Sequence, residues 1–259
     1  MAHGSEHVVV EVKDRVLRIE LARPEKRNAL TGEMYLALAD ALARADAEAD
    51  VRAVLLHGRP DCFSSGNDVK DFLERDPEAS APPPFRFLRT IAGTRKPIVA
   101  AVGGPAVGIG TTMLLHCDLV YAAPATRFQL PFVPLGIVPE AASSLLLPAI
   151  AGHARAAELL LLGRPFDAEK ALAAGIVTAI VPEASLLEHA RSVALELTRL
   201  PPGALRLTKE LLRRASAEAV AARMEEEGRL FAERLASPEA KEAFEAFLEK
   251  RAPDFSRFG

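Results

Sequence analysis

Residues Gly103–Asp118 read GGPAVGIGTTMLLHCD and lie between two short apolar runs, Pro97–Val102 (PIVAAV) and Leu119–Ala123 (LVYAA). Short continuous apolar runs suit strands buried on both faces. Between them, glycines at 103, 104, 108 and 110 lead into an apolar helical segment. A strand, a helix and a second strand in that order make a βαβ unit. Glycine lets the backbone approach a ligand closely and adopt φ > 0. The helix start adds unpaired N–H groups and the positive end of its dipole. Such a device holds negative charge, either a phosphate or an oxygen that becomes anionic during a reaction.

Working outward, Val8–Val12 and Val16–Leu21 are β-branched runs around Lys13-Asp14-Arg15 and predict a hairpin. Arg23–Leu30 (RPEKRNAL) is a cationic loop, and Thr31 can cap a helix running to about Ala47. Val51–His57 reads as a strand. Gly58–Asp68 (GRPDCFSSGND) is a turn-rich loop ending in a short helix from Asp68 to about Glu74. Asp76–Pro84 is Pro-rich and aperiodic, which predicts a mobile loop before a helix over Phe85–Gly93. Beyond the glycine stretch come a short strand over Thr126–Gln129, a loop over Pro131–Pro139 and a helix over Glu140–Ile150. From His153 the pattern is helical except for Gly175–Val181, which reads as one more strand. Ser237-Pro238-Glu239 starts the final helix with a cap, a proline and a first-turn acid. The expected class is therefore α/β, with a largely parallel sheet followed by a helical layer.

The chain has 259 residues, enough for one large core or for one domain with a helical appendage. A formal net charge of −3 gives no basic footprint, so a nucleic-acid partner is not expected. Cys62 and Cys117 lack metal-ligand spacing, so neither a disulfide framework nor a metal site is expected. No apolar run reaches transmembrane length and no leader pattern opens the chain, which predicts a cytoplasmic enzyme without a membrane partner.

Five motifs, in order along nearly the whole chain, resemble the crotonase, or enoyl-CoA hydratase/isomerase, superfamily. They are RPEKRNAL (23–30), CFSSGNDVK (62–70), KPIVAAVGGPAVGIG (96–110), CDLVYA (117–122) and LGIVPEAASS (135–144). The ending FLEKRAPDF (247–255) also fits. The resemblance implies a ββα-spiral core over residues 1–195 and a C-terminal helical trimerisation region over 196–259. It implies an acyl-CoA substrate, a homotrimer or dimer of trimers, and no separate cofactor, coenzyme A being part of the substrate. The family's two oxyanion-binding N–H groups fall on Asn67 and Ile109. Contacts to coenzyme A fall on the loop residues Lys26, Arg27 and Ala29. Others fall on Ser65, Gly66, Asp68, Val69 and Lys70, on Gly108, and on Lys250 contributed by a neighbouring subunit.

Removing a proton alpha to a thioester puts charge on the carbonyl oxygen, which two fixed N–H donors stabilise. The family's hydratases place one glutamate on the helix after the glycine loop and another before the LGxxP turn. Here those positions are Thr112 and Phe132, so water addition loses its acid/base pair. The segment PEAASS resembles Δ3,Δ2-enoyl-CoA isomerases, whose single glutamate falls on Glu140. One base suffices to move a proton from C2 to C4 of a 3-enoyl thioester. Weak hydration, thioester hydrolysis and non-catalytic CoA-thioester binding are the alternatives. Read without the resemblance, Glu140 is a first-turn helix acid and Asp68 an N-cap. Likewise His116 is a satisfied core histidine and Cys117 a buried hydrophobe.

Overall fold

The computed structural model describes residues 5–70 and 82–258. Strands β1 (Val8–Lys13) and β2 (Val16–Leu21) form the expected hairpin, its turn made by Asp14 and Arg15 at φ 53° and 65°. Two positive φ values match the twist of paired strands. Helix α1 (Gly32–Ala47) is capped by the Thr31 side chain, which accepts from Met34 N. Strand β3 (Ala53–His57) lies parallel to β2. Helix α2 (Pro83–Gly93) opens on the last two prolines of the supposed mobile loop, because proline is preorganised for a first helical turn. Residues 76–81 of that loop, and the short helix expected to continue beyond Lys70, fall outside the described residues.

Strands β4 (Ile98–Val102) and β6 (Leu119–Ala122) flank the glycine stretch as expected, parallel and directly paired. Between them runs an extra strand, β5 (Pro105–Val107), which pairs with β7 (Arg127–Gln129) in a second sheet completed by β8 (Phe166–Asp167). The main sheet is ordered β1-β2-β3-β4-β6-β9, with β9 only Ala179–Ile180. The strand expected over Gly175–Val181 is cut short because the N–H groups of Ile176 and Val177 bond to Ala171 O of the preceding helix.

Two further expectations need correction. The helix after the glycines is one turn, α3 (Ile109–Thr112), followed by 3₁₀ turns over Met113–His116. The chain must return to the sheet at Leu119, so no long helix forms and its dipole contributes little. The helix expected from Glu140 is α4 (Ser143–Ala151). Glu140 therefore precedes the helix and is not a first-turn acid.

The remaining helices are α5 (His153–Leu162), α6 (Ala168–Ala173), α7 (Leu186–Arg199), α8 (Pro202–Arg214), α9 (Ala217–Leu235) and α10 (Pro238–Glu249). Ala190 and Ala194 of α7 pack on one sheet face with Leu55, Val99 and Tyr121. The other face carries the larger core, from Leu17, Ile19 and Leu56 to Met34, Phe63, Phe87 and Phe128. Residue 195, where the spiral core was expected to end, lies within α7. Pro201 lies between α7 and α8, which opens on Pro202.

Candidate active site

A cavity of about 300 Å³ opens at the C-terminal ends of the strands. It is lined by Ser65, Gly66, Asn67 and Val69, by Val107, Gly108 and Gln129, and by Phe132, Leu135, Ile137 and Glu140. Phe231, Phe244 and Phe247 of the C-terminal helices complete the lining. The expected oxyanion segments and the expected base therefore meet in one cavity. Phe132, one of the two positions that carry a carboxylate in hydratases, is part of its apolar wall. Thr112, the other, is fully buried, with a hydroxyl that lacks a hydrogen-bond partner among the described residues.

The loop of the first expected donor, Asn67, is pinned by side chains from the 23–35 segment. Buried Asn28, at φ 54°, donates from Nδ2 to Cys62 O (2.9 Å) and Phe63 O (3.1 Å) and accepts from Arg23 N (2.7 Å). Ser64 donates to Asn28 O and accepts from Gly66 N. Leu30 N bonds Gly66 O, and Asp68 N bonds Leu30 O, a parallel bridge in which Asn67 turns its own N–H away. Tyr35 of α1 holds the Asn67 side chain by donating to Oδ1 at 2.7 Å. At φ +95°, Gly66 is in a conformation that favours glycine, and a Cβ there would meet Val107 O at 2.9 Å.

Ile109, the second expected donor, follows Gly108, which lies at φ 55° and ψ −119°. The Gly108 N–H bonds Gln129 O, and its carbonyl accepts from Thr111 N and Thr112 N. Ile109 N, at the first helical position, has no intrahelical acceptor. The two loops are joined directly: Ser64 N bonds Pro105 O and Val107 N bonds Ser64 O. By contrast Gly103 and Gly104 press on the backbone of Pro60 and Asp61 and are not part of the cavity.

Glu140 is only 9% exposed. Its carbonyl accepts from Ser143 N at 3.0 Å, closing a turn whose central residues Ala141 and Ala142 both lie at positive φ, 61° and 54°. Left-handed backbone costs a non-glycine residue about 1–2 kcal/mol. Two long-range groups hold this strained turn. His116 Nε2 lies 2.8 Å from Ala141 O, and burial drives that imidazole's pKa down to about 4. A neutral ring with its proton on Nε2 satisfies the carbonyl. Glu227, buried in the middle of α9, accepts from Ala142 N (2.6 Å), Ser144 N (3.0 Å) and Ser144 Oγ (2.5 Å). Burial pushes the Glu227 carboxyl up, opposed by these donors and by Arg223.

Of the expected coenzyme A contacts, Ser65, Gly66, Val69 and Gly108 line the cavity. Lys26, Arg27 and Lys70 are exposed beside it in sequence, and Ala29 is buried. Asp68 does what an N-cap does, accepting from Lys70 N, and its other oxygen accepts from Arg23 at 2.7 Å. Lys250, exposed, ends α10 at φ 56°, and its neighbour Arg251 is held by Glu242. The Cys62 and Cys117 thiols are pushed up by burial, Cys117 to about 12, so neither offers a thiolate. Tyr35, Glu227 and Phe231 also serve the site without being marked in the sequence. Each sits far along the chain from the motif it serves, and nothing in its local pattern marks it.

The sequence profile of the enoyl-CoA hydratase/isomerase family matches residues 11–257. This chain belongs to that family. As a member, it is an enzyme acting on CoA thioesters. Rat enoyl-CoA delta isomerase 2 is 36% identical over 256 residues, covering 96% of this chain and 65% of the relative. The probable enoyl-CoA hydratase echA8 of Mycobacterium bovis is 33% identical, covering 97% of this chain and 98% of the relative. The crystal structure of an enoyl-CoA hydratase/isomerase from Pseudoalteromonas atlantica T6c superposes with a TM-score of 0.92 at 46% identity, over 96% of this chain and all of that one. The fold is thus the crotonase spiral with a C-terminal helical region. Relatives in both reaction classes are about equally similar, so similarity alone does not choose between hydration and isomerisation.

Proposed function

We propose that the protein is a Δ3,Δ2-enoyl-CoA isomerase, with Glu140 as its single proton shuttle. The observation that carries this reading is chemical: Glu140 is the one carboxylate among the described residues lining the cavity. In this reading Glu140 takes a proton from C2 of a 3-enoyl thioester. The electron pair spreads over C4, C2 and the thioester oxygen, where the N–H groups of Asn67 and Ile109 stabilise it. Glu140 then returns the proton to C4, the double bond shifts from C3–C4 to C2–C3, and the carboxylate is restored. The apolar wall of Phe132, Leu135 and Ile137 keeps competing water low around the base. Coenzyme A would lie along Val69 and the 23–30 loop, with Lys26, Arg27, Lys70 and a neighbouring Lys250 near its phosphates.

The assay is formation of conjugated 2-hexenoyl-CoA from 3-hexenoyl-CoA, set against hydration of crotonyl-CoA by the same preparation. Isomerisation well above hydration supports the reading; hydration that matches or exceeds isomerisation refutes it. Assembly as a homotrimer or dimer of trimers belongs to the same reading. It is supported by Leu207, Leu211 and Leu212 of α8, which are 52%, 62% and 79% exposed in the single chain. A monomer in analytical ultracentrifugation would contradict it.

A further inference from the structure

The geometry points to Glu227 and His116 as positioning residues that fix the strained turn carrying Glu140. This rests on the reading of Glu140 as the base. The turn needs two consecutive alanines in left-handed backbone, a conformation the local sequence does not favour. Local hydrogen bonding supplies Ser143 N to Glu140 O and, as α4 begins, Leu145 N and Leu146 N to Ala142 O. Three further backbone groups of the turn are held from elsewhere in the chain: Ala141 O by His116, and Ala142 N with Ser144 N by the Glu227 carboxylate. A carboxylate with two oxygens can take these two N–H groups together, one on each. The Ser144 hydroxyl, which itself accepts from Arg223, donates to the same Oε1 that receives Ser144 N. Glu227 also stands at the start of α4, where negative charge is favoured. The arrangement is a bracket, with one jaw on the 3₁₀ turn after the glycine loop and one on α9. Because the first jaw follows the oxyanion segment directly, the bracket fixes the base relative to the donors.

The test compares wild type with Glu227→Gln. The variant keeps the side chain's shape but sets an amide N–H against the Ser144 N–H or the Ala142 N–H. We expect kcat on 3-hexenoyl-CoA to fall at least tenfold with KM changed less than threefold, because substrate contacts are untouched. Hydrogen exchange should accelerate at least tenfold in peptides covering 139–146 and stay as in wild type across β3 and β4. His116→Phe, which removes the other jaw, should reproduce both effects. A purely structural cap would lower the melting temperature and leave kcat at 25 °C unchanged, and that outcome overturns the proposal. Wild-type exchange rates at 139–146 in both variants overturn it as well. A wild-type protein that does not isomerise would refute the proposed reaction, while the exchange data would still decide whether the bracket exists.

Discussion

Replacing Gly108 with alanine separates backbone geometry from side-chain chemistry at the oxyanion donors. A Cβ built on Gly108 meets nothing within 4 Å, so the substitution adds no clash. What it adds is strain, since φ 55° with ψ −119° is a region that L-residues avoid at about 1–3 kcal/mol. If the native geometry persists, the protein simply loses that stability. For a chain of this size that is roughly 2–4 °C in melting temperature per kcal/mol. If instead the residue relaxes to negative φ, the 108–109 peptide rotates and carries the Ile109 N–H out of the cavity. Loss of one such donor typically costs about 3–4 kcal/mol of barrier, or roughly 10²–10³ in kcat. The bonds from Gly108 N to Gln129 O and from Thr111 and Thr112 to Gly108 O resist this rotation, so both effects should appear together. Thermal unfolding and steady-state isomerisation of 3-hexenoyl-CoA read them separately. A variant whose crystal structure shows the 108–109 peptide rotated, yet which keeps full kcat at temperatures well below its midpoint, would remove Ile109 N–H from the mechanism.

Other perturbations test the scaffold. Arg23→Met breaks the contact to Asp68 (2.7 Å), whose partners are only 14% and 16% exposed, and the bond to Ala29 O. Hydrogen bonds to charged groups contribute about 1.5–3 kcal/mol, so denaturant unfolding should show a loss of that order, with a raised KM as the 66–69 loop loosens. His116 is held neutral in the fold, its pKa lowered to about 4 from an ordinary 6.5. As pH falls through 6.5 the unfolded chain takes up a proton that the folded chain refuses until about pH 4. Stability is therefore lost across that window, by roughly 3 kcal/mol at about 1.36 kcal/mol per pKa step. Urea midpoints measured from pH 7 to 4 should fall, and His116→Gln should flatten that part of the slope.

The hairpin, α1, the parallel pair β4–β6 and the last helix were legible because each carries a local signal: β-branched runs, the Thr31 and Ser237 caps, apolar strands. Glycine marked the 103–110 stretch as a loop of unusual backbone, and Gly108 there does take φ 55°, whereas the pairing of that loop with Gly66 and Asn67 came from the family resemblance. Elements set by long-range pairing were not legible. The three residues of β5 look like loop, and only partnership with β7 makes them a strand. The left-handed Ala141-Ala142 turn contradicts local preference, so the sequence predicted a helix through it. Its hydrogen-bond acceptor Glu227 lies on a helix whose own pattern marks it as one more exposed glutamate. Sites built against local propensity need support from distant parts of the chain, and that support has no local signature.

Glu140 is the one base of the proposed reaction. The measurement that tests it most directly is kcat of Glu140→Gln on 3-hexenoyl-CoA, with binding of a non-isomerisable acyl-CoA followed in parallel. General acid–base contributions are about 10²–10⁴. We expect kcat to fall by at least 10² while acyl-CoA binding and the melting temperature stay near wild type. A Glu140→Gln protein that isomerises within a few-fold of wild type would place the base elsewhere and contradict the account.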